Sequence, residues 1–376
     1  MERTPPDRGS SAELSRCHRT ATVRVAVSNA TIPGHHLCAV VRNAAVFALA
    51  LAAACAGINS LLPSLPVLGI SDKLDYLRAH RGEIDTVFLG SSRTYHAFDP
   101  AVFDRELAPR GVAMRSFNFG IDGMRPPESF YVLRELLGLR LPLRWLFIEL
   151  AGIHPKVNAA NVGTARYVHW HDWHHTAMVL RYIARSPGAL PEKAAQMLVH
   201  ARCFLARLSN IGRGPEWLGA KLRGPQKRWR FVLPWEGHAG FEAQTTPVLS
   251  GAERTDYEGA VALIEKGGLA KTAVPPLLAA ALRGAAGAVR ASGARPLLVI
   301  PPTVVGRENL TGLAEAGIDA PVIAFTDPRR HPGLFRAANH CDVEHLNAAG
   351  AAEFSRALAE EFAARFSPQG SRDAGD

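Results

Sequence analysis

Short apolar runs recur along the chain and alternate with segments of helical periodicity. The runs are Ile84–Leu89, Met114–Asn118, Trp145–Leu150, Pro296–Ile300 and Val322–Phe325. A short apolar run is typical of a strand that is buried on both faces of a parallel sheet. Five such strands separated by helices predict an α/β domain with a doubly wound, flavodoxin-like parallel sheet, with right-handed crossovers and helices on both faces.

Helix signals fall between these runs. Asp99 followed by Pro100 marks the start of a helix that ends near residue 107. About 140 residues separate the third and fourth runs, which is far longer than an ordinary connection. We therefore expect a large, mainly helical insertion at about residues 155–290 within a domain that spans residues 70–366. Residues 367–376 are expected to form a disordered tail.

Residues 44–62 are almost purely apolar and carry no charge, so they have about the length that crosses a bilayer. Residues 1–43 carry more arginines than acids, and the positive-inside rule keeps this predicted disordered segment in the cytoplasm. The domain that follows would then lie outside the cytoplasm. Two alternatives are a signal that is cleaved or lipidated at Cys55 and a buried Ala-rich helix of a soluble protein.

Composition limits the class of protein. The chain has 376 residues, 47% of them hydrophobic, and can bury a full core. A formal charge of +9 favours anionic partners such as phospholipid surfaces or acidic polymers. Nucleic acid is not an expected partner, because no zinc-finger, RNP-like or helix-turn-helix pattern accompanies the charge. The five cysteines are too scattered for a disulfide framework, although a bridge between Cys203 and Cys341 stays open if the domain is exported.

The first apolar run stops at Gly90 and is followed by two hydroxyls, Ser91 and Ser92. Glycine permits a tight turn. A serine just past such a strand lies at the carboxyl edge of the sheet, where open α/β folds bind their ligands. Ser92 is therefore a candidate nucleophile. The alternative is that one of the serines only caps the following helix.

Near the C-terminus, Asp342 precedes His345 by three positions at the entry to a helix. A carboxylate at this spacing can accept a hydrogen bond from one ring nitrogen and leave the other aimed at a serine across the sheet edge. The imidazole is then a competent general base. The alternative is a surface pair beside a helix that Asn347 caps.

Three fragments together resemble the blocks of the SGNH (GDSL-type) hydrolases, in that family's chain order. They are residues 90–92, the turn 118–123 and the Asp342-x-x-His345 pair. The resemblance covers roughly residues 84–150 and 297–362. It is strongest to the membrane-anchored, exported members associated with O-acylation of cell-surface polysaccharides.

The resemblance implies that Ser92 is the nucleophile, His345 the base and Asp342 its orienting partner. The backbone N–H groups of Ser92 and Gly123 would hold the oxyanion. The implied function is an esterase or O-acyltransferase, with acetyl as the expected group, that acts on a cell-surface carbohydrate polymer without a metal or cofactor. The implied location is the bacterial inner membrane, with a single span and the catalytic domain in the periplasm. A membrane-bound acyltransferase is an expected partner.

Two positions depart from the family pattern. Ser91 replaces an acidic residue that has no catalytic role. Ile153 stands where members usually offer an Asn to the oxyanion, and one lost donor costs about 3–4 kcal/mol in the transition state. Asn158, Asn161 and Arg93 are candidate substitutes. The missing Asn favours the main alternative, a catalytically weak or inactive module that binds glycan or scaffolds an acyltransferase; a lipid esterase is a third possibility.

Residues 166–175 are dense in aromatic and imidazole side chains and admit three interpretations. The first is a metal site. The second is a wall of the cleft, with Trp170 or Trp173 stacked on a sugar ring. The third is ordinary packing. The metal candidates are His169, His171, Asp172 and His174, and the candidate substrate-binding residues of the whole chain are Arg93, Asn118, His154, Trp170 and His171.

A basic run covers residues 202–230, in which Glu216 is the single acid. It is either a solvated face or a surface that meets an anionic polymer or lipid head groups.

Overall fold

The computed structural model describes residues 34–61, 67–157, 161–209, 218, 222, 237–245, 248–267, 274–304 and 317–366. The chain divides into two compact units, residues 1–53 and 54–376. The predicted disorder of residues 1–33 and 367–376 falls outside the described residues, as does most of the basic run.

The N-terminal apolar segment is helical. Helix α1 spans Gly34–Leu61 and so begins well before residue 44, where the apolar run starts. Its stretch Cys38–Ser60 is long and apolar enough to cross a membrane, and little of it is buried. Phe47 and Leu49 are 70% and 71% exposed. Residues 34–43, which were expected to be disordered, belong to this helix, because Arg42 and Asn43 interrupt the apolar pattern without interrupting the helix.

The five predicted strands form one parallel sheet, as expected. The strands are β1 Thr86–Gly90, β2 Ser116–Gly120, β3 Trp145–Glu149, β4 Arg295–Ile300 and β5 Val322–Ala324. Their order is β2-β1-β3-β4-β5, and every described pairing is parallel. The direction of winding changes between β1 and β3. Open α/β sheets bind ligands at the carboxyl ends of the strands beside such a switch point.

Helices lie between consecutive strands from β1 to β4. The helices outside the β3–β4 connection are α2 Ile70–Ala79, α3 Ser92–Ala97, α4 Pro100–Leu107, α5 Glu128–Gly138 and the C-terminal Ala348–Phe366. Between β3 and β4 the described residues form α6 Ala165–Trp170, α7 Trp173–Arg185, α8 Leu190–Ser209, α9 Gly251–Gly267 and α10 Pro276–Ala291, so the C-terminal helix is α11. Short 3-10 turns cover Ala108–Arg110, Pro332–Phe335 and Ala337–Asn339. Asp99 caps α4 as predicted, because its carboxylate accepts from the N–H groups of Ala101 and Val102 at 2.9 and 3.2 Å.

Each face of the sheet carries its own core. Val87 and Leu89 of β1 pack in a cluster with apolar residues of α2, α5 and α10. Phe88 points the other way and joins a cluster with residues of α4 and α11. Its ring lies 4.8 Å from that of Phe147, edge to face. Because each fully buried side chain of this size contributes about 1.5–3 kcal/mol, the two clusters hold the strand ends rigidly in place.

The cysteines do not form the bridge that was left open. No disulfide joins Cys203 to Cys341, and the two residues lie on separate elements, α8 and the loop before α11. The Cys341 thiol instead donates to the backbone carbonyl of His345 at 3.5 Å.

Candidate active site

The candidate site begins where β1 ends. Ser91 is the N-cap of α3, and its hydroxyl accepts from the N–H of Arg93 at 3.2 Å. Ser92 is the first residue of that helix. A Cβ at Gly90 would lie 2.0 Å from the Thr94 hydroxyl and 2.4 Å from a carboxylate oxygen of Glu149. Only glycine therefore fits this turn. Because Ser91 caps the helix, the Ser92 side chain is available to another partner.

That partner is His345, which is 253 positions away in the sequence. The Nε2 atom of His345 lies 2.7 Å from the Oγ of Ser92. Its Nδ1 atom lies 2.8 Å from Oδ2 of Asp342. Because a carboxylate can only accept, Nδ1 carries the proton and Nε2 is free to accept from the serine hydroxyl. The three side chains form one directed chain of hydrogen bonds.

Asp342 is fixed by the backbone that follows it. Its Oδ1 atom accepts from the N–H groups of Glu344 and His345 at 2.7 and 2.8 Å. Burial alone would raise the pKa of this carboxyl group, but these hydrogen bonds and the His345 ring hold the pKa below its ordinary value. Asn347 does cap α11, through a bond from the N–H of Gly350 at 3.0 Å. The cap and the Asp-His pair thus coexist.

Glu149, which the sequence analysis missed, holds the turn at Ser91 and Ser92 in place. It is the last residue of β3, and its side chain is 1% exposed. The carboxylate accepts from the Ser91 N–H at 2.7 Å, the Ser91 hydroxyl at 2.9 Å and the Thr94 hydroxyl at 2.7 Å. Burial would raise the pKa of Glu149, but the Arg93 charge and these hydrogen bonds leave it lowered. An acid at the end of a strand that is otherwise apolar was the available signal.

Two predicted substrate-binding residues take part in this scaffold. The guanidinium of Arg93 lies 2.7 Å from Glu149, and its side chain is 14% exposed. Asn118 is fully buried. Its amide donates to the carbonyls of Thr94 and Phe98, both at 2.7 Å, and accepts from the Gly120 N–H at 2.7 Å. The Asn118 amide is thus hydrogen-bonded within the protein, and the Arg93 guanidinium is paired with Glu149.

The turn after β2, which carries the second predicted oxyanion donor, rests on a buried lysine. Gly123 is exposed on this turn with φ of +66°. Beneath the turn, Lys73 of α2 donates to the carbonyls of Asn118, Gly120 and Gly240 at 3.1, 2.8 and 2.8 Å. Burial holds the pKa of Lys73 well below its ordinary value, although the charges of Asp122 and Glu242 oppose that shift. Since three carbonyls need three N–H donors, the geometry is that of the charged ammonium form.

His96 places a second cation beside this turn. Its Nδ1 lies 2.8 Å from the backbone carbonyl of Glu242, and its Nε2 lies 3.1 Å from Oδ1 of Asp122. Both partners can only accept, so both ring nitrogens carry protons and the ring is an imidazolium. Burial would lower the pKa of His96, but the Asp122 and Glu242 interactions leave it raised. The ring centroid is 6.1 Å from that of His345.

This raised pKa predicts a pH-dependent stability. The contribution of the His96–Asp122 pair is fully present below the unfolded pKa of about 6.5 and is lost as the pH rises through the higher folded value. We expect Asp122→Asn to lower the melting temperature of the full chain more at pH 6 than at pH 9. Thermal unfolding followed by intrinsic fluorescence at both pH values measures this. An equal decrease in melting temperature at pH 6 and pH 9 would show that the His96–Asp122 pair does not titrate as described.

The aromatic and imidazole cluster packs inside the protein. Trp170 is 4% exposed and His171 is fully buried, and their rings stack at 3.6 Å. His171 Nε2 lies 2.9 Å from Nδ1 of His200, whose Nε2 lies 2.8 Å from the Pro155 carbonyl. Burial lowers the pKa of His171 to about 3. Trp170 and His171, which were predicted to bind substrate, are thus packed among other side chains, whereas Trp173 is 76% exposed.

The metal interpretation of the same segment finds no support in the described part of the chain. His169 bonds to Glu135 at 2.8 Å, whereas Asp172 accepts from His175 at 2.8 Å. No group of three or more His, Cys, Asp or Glu side chains among the described residues is arranged to hold a metal ion.

The loop after β3 lacks a side-chain amide at the expected position. Ile153 is 5% exposed and packs in the core. His154 is exposed, and its backbone N–H donates to the Pro126 carbonyl at 3.1 Å, which joins this loop to the one after β2. Asn161 accepts from Thr164 through its backbone carbonyl. Asn158 lies outside the described residues.

The sequence matches no protein-family model, and no curated protein matches it either.

Proposed function

We propose that this protein is a serine-dependent esterase or O-acyltransferase of the SGNH type. The observation that carries the proposal is the hydrogen-bonded chain from Ser92 through His345 to Asp342, with heavy-atom distances of 2.7 and 2.8 Å. Nucleophile, base and orienting carboxylate in this order are the arrangement that activates a serine hydroxyl. Its position at the β1–β3 switch point is where an open α/β sheet binds its ligand.

In the proposed mechanism the Ser92 oxygen attacks an ester carbonyl while His345 Nε2 takes the hydroxyl proton. His345 then returns that proton to the departing alcohol as the ester C–O bond breaks, and an acyl-enzyme remains. Water or a sugar hydroxyl attacks this ester with His345 again as base, which releases Ser92. Asp342 stabilises the imidazolium formed in each half, and the general base contributes about 10²–10⁴ in rate.

The oxyanion receives the backbone N–H groups of Ser92 and Gly123 in this proposal. The side chain at Ile153 supplies no third donor. Two cations supported by the geometry, Lys73 and His96, lie beneath and beside the turn that carries Gly123. Fixed positive charge near a developing oxyanion lowers the barrier in a site of low dielectric. We infer that Lys73 and His96 offset part of the transition-state stabilisation that a third oxyanion donor would supply.

The proposed substrate is an acylated carbohydrate polymer of the cell surface. Support comes from the resemblance of the three blocks to exported SGNH members and from α1, which is apolar enough to anchor the chain. We place the domain in the periplasm of a bacterium, behind a single span of the inner membrane. A membrane-bound acyltransferase would supply the acyl group if the reaction is transfer rather than hydrolysis.

A fluorophosphonate probe tests the nucleophile directly. We expect the full chain to be labelled and Ser92→Ala to lose the label, because only a hydroxyl activated by an adjacent base attacks the probe at a useful rate. Ser129→Ala, which removes a buried hydroxyl on α5, is the matched control and should label like the wild type. Gel fluorescence and peptide mapping measure both. Equal labelling of Ser92→Ala and wild type would refute the assignment.

One observation favours a second function, a module that binds glycan without turning it over. Ile153 is buried where a catalytic SGNH domain offers its amide. If this alternative holds, the wild type takes up no probe, yet it binds an acetylated polysaccharide, and Ser92→Ala binds the polysaccharide equally well. Probe uptake that depends on Ser92 excludes it.

A further inference from the structure

A large groove lies between helices α5, α7 and α10, and the Ser92 site uses none of its lining. Its volume is about 1250 Å³. That exceeds the roughly 300–1,000 Å³ typical of sites for small molecules. Leu133 and Leu137 of α5, Met178 of α7 and Leu277 of α10 supply apolar surface. A polar sugar would leave its hydroxyls without partners on such a floor, so an apolar ligand fits better.

The groove is also positively charged. Arg134, Arg140 and Arg181 line it, and no carboxylate stands among its described lining residues. Arg134 is partly neutralised by Asp172, whose carboxylate lies 2.7 Å from its guanidinium. Arg140 and Arg181 are exposed. An apolar floor with arginines beside it is complementary to a molecule that joins hydrocarbon to an anionic group, because guanidinium pairs well with phosphate.

We propose that this groove binds an anionic phospholipid, with its acyl chains against the apolar floor and its phosphate at Arg140 and Arg181. The size of the groove, its apolar lining and its positive charge together favour this ligand. A chain with a helix that can span a membrane also meets such lipids wherever it is anchored. The site does not depend on Ser92, so it stands or falls separately from the esterase proposal.

Helix α10 offers a matched pair of substitutions. Gly284 lines the groove, whereas Gly287 of the same helix is not among its lining residues. A Cβ at either position meets nothing within 4 Å, so each accepts a larger side chain without a clash at that atom. Both replacements remove a helix-interior glycine and gain similar helix propensity. Gly284→Leu therefore fills the groove, and Gly287→Leu controls for everything else.

Native mass spectrometry of the full chain tests the proposal. The protein is released from detergent micelles that contain equimolar dioleoyl phosphatidylglycerol and dioleoyl phosphatidylcholine. We expect wild type and Gly287→Leu to retain one phosphatidylglycerol in preference to phosphatidylcholine. Gly284→Leu should lose that adduct at least tenfold. The double variant Arg140→Gln, Arg181→Gln should bind both lipids with little preference.

Three results would overturn the proposal. The first is an adduct that Gly284→Leu retains, which would place the lipid elsewhere on the chain. The second is a wild type that does not distinguish the two head groups. The third is a wild type with no adduct, which is the expected result if the groove is filled by the protein's own chain or by a second copy. Labelling of Ser92 by the fluorophosphonate probe would be unaffected in each case.

Discussion

A His345→Ala protein is expected to hydrolyse p-nitrophenyl acetate about 10²–10⁴-fold more slowly than the wild type, with most of the loss in kcat. The substitution removes the acceptor that lies 2.7 Å from the Ser92 hydroxyl. Without it the serine must lose its proton to water, and the water that attacks the acyl-enzyme has no general base. Steady-state kinetics of the purified full chain measure both constants. KM should change little, because the imidazole acts on the reacting atoms rather than on the bound ester.

The double variant Ser92→Ala, His345→Ala sharpens this prediction. Nucleophile and base act as one unit, so the double variant should be no slower than the slower single variant. His174→Ala, which removes an exposed imidazole of α7, should keep wild-type kinetics. A His345→Ala protein within threefold of wild type, or losses that multiply in the double variant, would exclude the proposed mechanism.

The sheet was predictable because its strands are apolar on both faces, but the bounds of β2 were not. The pattern predicted a strand over 114–118, whereas β2 is Ser116–Gly120. Asn118 and Gly120 resemble turn residues in sequence. Inside the strand, Asn118 is satisfied by carbonyls of the segment that follows β1, and a Cβ at Gly120 would lie 2.2 Å from the Tyr95 nitrogen. The asparagine and the glycine are both required by contacts with the segment after β1, which is remote from them in sequence.

The same reason separates the site residues that were predicted from those that were missed. Ser92, Asp342 and His345 carry their signal in short local spacings. Lys73 and His96 gain their roles from contacts 167 and 146 positions away, and those contacts are to backbone carbonyls, which leave no residue pattern. Trp170 and His171 were candidates for the cleft and are buried, and a density of rings in the sequence does not indicate which of them are buried.

Glu149 is the missed residue whose loss should cost the most stability. We expect Glu149→Ala to lower the free energy of unfolding by about 3–5 kcal/mol, because it leaves the largely buried guanidinium of Arg93 unpaired. Activity should fall further than the loss of folded protein explains, since Ser91 and Thr94 lose the acceptor that fixes the turn before and after Ser92. Chemical denaturation of the full chain and kcat measured on the folded fraction separate the two effects.

Two controls separate the effect of breaking the buried Arg93–Glu149 pair from the effect of removing a charge. Removing both partners in Glu149→Leu, Arg93→Met should cost less than Glu149→Ala, because no uncompensated charge then remains in the interior. Asp75→Ala breaks the exposed ion pair with Arg78 and should change the free energy of unfolding by less than about 1 kcal/mol. If Glu149→Ala is no more costly than Asp75→Ala, the carboxylate does not hold the turn. If Glu149→Ala lowers the free energy of unfolding but the folded protein keeps full kcat, the turn positions Ser92 without the Glu149 carboxylate.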